Sequence, residues 1–173
     1  MSLELVKTVT ASSVSDVEVT NIFTTDYDFY KIIVTDLDIS SNSVNLEMRY
    51  LNSSGTEITT QHSWLRHGLQ NTRTYLQQGA SSVSDFDLIN IDSTNAHNPA
   101  IIIYVYDPLN TNYYTLGNYE SMTYNLNPNN YKIEGNYGAI HYNNTQALSG
   151  VKFKLTSGTI EQINIKVYGF LES

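Results

Sequence analysis

The chain has 173 residues, with 9 Lys and Arg against 17 Asp and Glu, a formal net charge of −8. That balance excludes a general nucleic-acid binder, whose non-specific affinity comes from Lys and Arg neutralising phosphates. There is no cysteine, which excludes a disulfide framework and any cysteine-ligated zinc or iron–sulfur site.

The length fits a single domain over 1–173, able to bury about two-thirds of its unfolded surface. The opening MSLELVKTVTASS has no basic start followed by an apolar run, so no Sec signal is expected. Nowhere do eighteen apolar residues run together, so no membrane partner is expected. Abundant Asn, Ser, Thr and Tyr favour strands joined by side-chain-capped turns over long helices.

In chain order, Leu3, Leu5 and Val9 predict a first strand, and Val17 and Val19 alternate with Asp16, Glu18 and Thr20 in a second. Residues 29–34 are almost continuously apolar or aromatic, the pattern of a central strand covered on both faces. After the Ser40-Ser41-Asn42-Ser43 turn, Val44, Leu46, Met48 and Tyr50 alternate with Asn45, Glu47 and Arg49. The loop Asn52-Ser53-Ser54-Gly55 then returns the chain into Ile58, Thr60 and His62, predicting a hairpin over 44–62.

Residues 64–78 form the one candidate helix, on the spacing of Leu65, Leu69 and Leu76. A long loop crossing the end of a sandwich fits the same stretch. Phe86 and Leu88 begin another strand, and AIIIYVY at 100–106 is the most apolar segment, a core strand stopped by Asp107-Pro108. Short strands are expected at 113–114, 119–124, 131–133 and 135–142.

Near the end, Val151, Phe153 and Leu155 alternate with Lys152 and Lys154, Ser157-Gly158 breaks the run, and Ile163, Ile165 and Val167 resume it. This pattern predicts a closing hairpin. Ile160 is out of parity with Ile163, which predicts a bulge near Glu161-Gln162. Lysine at 152, 154 and 166 reads either as a guard on an exposed strand edge or as a docking patch. Ten or so short strands between Asn, Ser, Gly and Pro clusters predict an all-β protein, an antiparallel β-sandwich of jelly-roll type.

Three Asp-x-Asp pairs occur, at Asp26 and Asp28, Asp36 and Asp38, and Asp85 and Asp87. Alternate positions place both carboxylates on one side, and a loop carbonyl completes the kind of donor set that calcium takes. Ordinary solvated edges and turn caps are the other account of all three pairs, and Asp26 and Asp28 are the candidate Ca2+ ligands. His62, His67, His97 and His141 form no compact metal-ligand spacing. No nucleophile elbow or P-loop is present, and no enzyme activity or other cofactor is expected.

Of fourteen tyrosines, nine crowd into residues 104–142. Tyrosine joins a large apolar area to a polar tip, which suits subunit interfaces and sugar platforms alike. Tyr113, Tyr114, Tyr119, Tyr124 and Tyr131 are the candidate interface or binding residues, with strand packing as the other account of part of this excess.

The ending built from Gly150, Val151, Phe153, Ser157, Gly158, Ile160, Ile165, Val167, Tyr168 and Gly169 resembles the C-terminus of small all-β virion structural proteins of tailed bacteriophages, marine ones especially. Weaker echoes lie at Arg49-Tyr50, Ser54-Gly55 and Asp107-Pro108. The resemblance implies a non-enzymatic virion building block, a capsid decoration or a tail or fibre accessory, with other virion proteins as partners. A homo-oligomer is expected, a trimer first, because closed rings are the usual solution for such parts. The other reading is a carbohydrate-binding, host-recognition module of a phage tail fibre.

Overall fold

The computed structural model describes residues 2–41, 43–71, 74–91, 99–127 and 130–171, the side chains of 125–132 apart. Among the described residues there are twelve strands and no helix. In chain order they are β1 (Ser2–Ala11), β2 (Asp16–Val19), β3 (Phe29–Ile39), β4 (Val44–Asn52), β5 (His62–Gln70) and β6 (Tyr75–Val83). Then come β7 (Phe86–Ile91), β8 (Ala100–Tyr106), β9 (Thr115–Asn127), β10 (Asn130–Tyr142), β11 (Leu148–Leu155) and β12 (Ile160–Leu171).

They form two antiparallel sheets packed as a β-sandwich. The large one runs β1-β12-β3-β8-β9-β10-β5-β6 and the small one β2-β11-β4-β7. Inward positions follow from the two-residue period: Tyr30, Ile32 and Val34 on β3 and Ile101, Ile103 and Val105 on β8 are fully buried. Facing them, Leu46 and Met48 on β4 and Val151 and Phe153 on β11 are fully buried as well.

Two expected hairpins are corrected. β11 lies in the small sheet and β12 in the large one, so the glycine turn at Ser157-Gly158 carries the chain across the sandwich. Gly158 has φ +84°, and a side chain there would meet Ser41. β4 and β5 are likewise in different sheets. The Asn52–Gly55 turn closes only a short local loop, with the Ile58 N–H donating to the Tyr50 carbonyl, before the chain crosses over. All six apolar residues of the closing segment are nonetheless buried, and β12 shifts register between Ile160 and Asn164.

The guard reading of the lysines is corrected with them. β11 is an inner strand of its sheet, so it has no open edge to guard. Lys152 pairs with Asp16 at 3.3 Å and Glu18 at 3.4 Å, and Lys154 with Glu47 at 3.2 Å and Asp85 at 3.1 Å. These lysines neutralise carboxylates of their own sheet. The candidate helix at 64–78 is β5 and β6, paired antiparallel. Tyr113 and Tyr114 lie in the loop between β8 and β9.

His62 sits in a dry aromatic nest, with ring centroids 4.5 Å from Phe86, 5.5 Å from Tyr142 and 6.1 Å from Tyr50. Burial disfavours the imidazolium and lowers its pKa from 6.5 to about 4.

Two predictions follow from this core. Ile103→Ala should lower unfolding free energy by about 2–5 kcal/mol in a denaturant titration, since it removes fully buried methyl groups. Between pH 6.5 and 4 the unfolded chain takes up the His62 proton and the folded chain does not, so stability falls as pH falls through that window. His62→Phe should remove this component, up to about 3 kcal/mol, flattening the acid limb of a midpoint-against-pH plot.

Candidate functional site

The two sheets differ in width by four strands, and the excess shows at β10, β5 and β6, which overhang the β7 edge of the small sheet. An exposed strand edge leaves backbone carbonyls unpaired. Here side chains of β9 satisfy two of them: the Tyr119 hydroxyl donates to the Asp87 carbonyl at 3.0 Å, and the Ser121 hydroxyl to the Leu88 carbonyl at 3.2 Å. Tyr119 is fully buried, and its ring lies over Gly138, where any Cβ would fall 2.3 Å from the ring. It is therefore a core residue and no surface ring, because its hydroxyl has a buried acceptor to reach.

Beyond Tyr119 the inward face of the overhang turns polar. Arg66, Glu134 and Asn136 are all nearly inaccessible to solvent. The Arg66 guanidinium donates to the Gln78 side-chain carbonyl through Nε at 2.8 Å and to Asp87 Oδ1 at 3.3 Å. Asn45 donates to Asp87 Oδ2 at 2.8 Å, and Asn90 donates to Asn45 Oδ1 at 2.7 Å. Glu134 accepts from Gln70 at 2.9 Å and from Asn136 at 3.0 Å. Partial burial raises the Asp87 carboxyl from 3.8 to about 6, against the pull of Arg66.

These groups line an open cleft of about 580 Å3 between the overhang and the β7 edge. Trp64, the one tryptophan in the chain, forms part of its wall, and the Arg66 guanidinium stands 5.6 Å from the Trp64 ring.

The opposite face of the same sheet has the reverse character. Cross-strand registers place Leu3, Phe170, Phe29, Tyr106 and Leu116 in one row over five strands. A parallel row holds Ile33, Ile102, Glu120, Tyr137 and His67. Of the twelve large apolar side chains most exposed among the described residues, ten belong to this outer face, and Tyr113 and Tyr114 are the other two. A shallow apolar groove of about 820 Å3 between Ile102, Met122, Leu69, Tyr75 and Tyr137 lies on it. Rings on this face stack on one another: Phe29 is 4.2 Å from Phe170 and 4.9 Å from Tyr106, with interplanar angles of 21° and 2°. Their faces are turned toward each other.

The residues singled out from sequence fall in separate places. Tyr113 and Tyr114 are exposed in their loop, Tyr114 with its ring 5.2 Å from His141. Tyr124 is half-buried on β9. The side chain of Tyr131, and all of His97, lie outside the described residues. Asp26 accepts a hydrogen bond from the Thr24 hydroxyl at 3.1 Å in an exposed turn, and the Asp28 carbonyl accepts from the Asp107 N–H at 2.7 Å. Among the described residues no group of three or more His, Asp or Glu side chains converges to hold a metal. Sequence reasoning missed Trp64, Arg66, Gln78, Glu134 and Asn136, and took Asp87 for a solvated edge.

No family model matches the chain, and no curated protein matches it. Among solved structures it is similar to the CBM2 module of the evolved Dit of Lactobacillus casei BL23 phage J-1. That match has a TM-score of 0.28 and 6% identity, over 91% of this chain and 70% of that one. A second match, to a structure of infectious bursal disease virus Gx strain, has a TM-score of 0.15 and 9% identity, over 99% of this chain and 41% of that one. Neither likeness is close enough to bear on function.

The Arg66–Asp87 pair yields a pH-dependent prediction. Arg66→Met should cost about 3–5 kcal/mol at pH 8, where it leaves a partly buried carboxylate without its cation. The loss should be clearly smaller at pH 5, below the raised Asp87 pKa, where the carboxyl is neutral. Paired urea titrations at the two pH values measure the difference.

Proposed function

We propose that this protein is a non-enzymatic structural component of a virion, assembling with further copies of itself through the outer face of its large sheet. The observation that carries the reading is that face, where ten large apolar side chains are exposed together. A monomer rarely leaves so continuous an apolar surface in water.

A second copy is the occupant that area and charge favour. Eight strands about 4.8 Å apart span about 38 Å, and with a height of about 20 Å the face approaches 800 Å2. That is about what a standard interface takes from each partner. The rows across it carry Lys31, Lys166 and Glu120 on a chain of net charge −8, so this side lacks the acidity that keeps copies apart. Rings with their faces already stacked offer little flat area to a sugar.

Strand order adds support at the level of fold. The orders β1-β12-β3-β8 and β2-β11-β4-β7, with β9, β10, β5 and β6 added beyond β8, interleave as the two sheets of a jelly roll do. Viral capsid proteins use that architecture, as do lectins, so order alone does not choose between them. The tailed-phage assignment, as a capsid decoration or a tail accessory, rests on the resemblance carried by Gly150 to Gly169.

Light scattering on the purified chain tests the assembly. The wild type should have the mass of a homo-oligomer. Leu116→Lys with Met122→Lys, two side chains more than half exposed, should be monomeric with an unchanged circular dichroism spectrum. A wild-type monomer at high concentration overturns the reading.

A further inference from the structure

We infer that the cleft between the β7 edge and the β5–β6 overhang is a binding site for a neutral saccharide. It lies on the opposite face of the large sheet from the apolar rows, so the inference stands apart from the assembly reading. It also differs in place from the tyrosine-rich loop, whose Tyr113 and Tyr114 do not line the cleft.

The lining sets the ligand class. Asn45, Asn90, Gln70 and Gln78 bring four carboxamides to one cavity. An amide offers a donor and an acceptor side by side. A sugar hydroxyl needs both, whereas a phosphate or a carboxylate needs donors only. Trp64 and Leu76 supply the apolar part of the wall. An aromatic ring of this kind suits the C–H face of a pyranose, and two apolar residues are too few to hold peptide side chains. The volume of about 580 Å3 lies within the ~300–1,000 Å3 of small-molecule sites.

Charge decides between neutral and acidic sugars. Among the described residues lining the cleft Arg66 is the cation, and it is already engaged by Asp87 and Gln78. Asp87 and Glu134 add two carboxylates. An anionic sugar would meet that pair with no uncommitted cation to receive it. A neutral hydroxyl can instead donate to Asp87, whose carboxylate oxygens each accept one hydrogen bond, from Arg66 and from Asn45, and have lone pairs for another.

Because Trp64 is the sole tryptophan, its fluorescence reports on the cleft alone. The purified wild-type chain is first put on an array of neutral and acidic glycans, and the best neutral hit is titrated against Trp64 emission, with trigalacturonate as the acidic probe. A saturable emission change with the neutral sugar and none with trigalacturonate is expected. Asn90→Ala and Gln78→Ala should each weaken binding at least tenfold in chains that keep the circular dichroism spectrum of the folded wild type. No neutral hit on the array overturns the inference, as does equal binding of trigalacturonate. Binding unaffected by both substitutions likewise overturns it. None of these outcomes bears on oligomer mass, so the two proposals fail separately.

Discussion

Everything distinctive in this sandwich follows from packing two sheets of unequal width. The small sheet ends at β7, while the large one continues through β10, β5 and β6. A strand with no sheet beneath it has no dry place for inward side chains, so apolar residues there would lie bare. Away from the buried His62, Ile140 and Tyr142, the inward positions of the overhang are accordingly Arg66, Gln70, Gln78, Glu134 and Asn136, tied to one another or to the β7 edge. Charged groups this inaccessible persist only when paired and hydrogen-bonded. The boundary between dry core and polar arch falls at Tyr119, whose ring is buried and whose hydroxyl holds the edge strand.

The same mismatch explains the outer surface. Normal sheets in a two-layer sandwich bury one face and wet the other. Here β5 and β10 invert that pattern, with Arg66 and Glu134 inside and Leu65, Leu69, Ile133 and Tyr137 outside. Leu3 and Leu5 on the far edge strand extend the apolar face to the other side of the sheet. Acidic residues concentrate elsewhere. On the outside of the small sheet, Lys152 and Lys154 are surrounded by Asp16, Glu18, Glu47 and Asp85. One broad surface is therefore a neutralised salt network and the other a hydrophobic plane.

Alternation made the strands legible, because a two-residue period reports which side chains face inward wherever inside means dry. It placed Val151, Phe153, Leu155, Ile163, Ile165 and Val167 in the core, and the parity slip at Ile160 marked the irregular pairing of β12. Parity says nothing about which sheet a strand joins. Ser157-Gly158 is as good a turn for a crossing between sheets as for a hairpin, so both expected hairpins were misassigned. The stretch 64–78 failed for a deeper reason. With Arg66 and Gly68 inside and Leu65 and Leu69 outside, its leucines mark solvent rather than core, and their spacing of four imitates a helix. The cleft was hidden for the same cause: its residues come from β4, β5, β6, β7 and β10, and no local motif announces a site built from inverted strands.

β5 and β10 thus carry two surfaces of opposite chemistry on alternate residues of the same backbone. At Gly68 the two approach each other: a Cβ there would fall 2.3 Å from the Asn136 side-chain oxygen, so the polar arch closes over bare backbone. Its neighbours in sequence, His67 and Leu69, line the apolar groove. A sheet is only one residue thick, so covering the outer face with another copy would hold β5 and β10 in register without obstructing the cleft behind them. Strands at the margin of a sheet are the ones most prone to fray, and beyond His62 the inward side chains of β5 and β6 are mostly polar rather than packed in the dry core. Burying Leu65, Leu69 and Tyr75 would supply the apolar contact that the small sheet stops short of providing, and would fix Trp64 and Arg66 on the reverse side. In this architecture, assembly on one face, as proposed, would be a physical means of ordering the proposed site on the other.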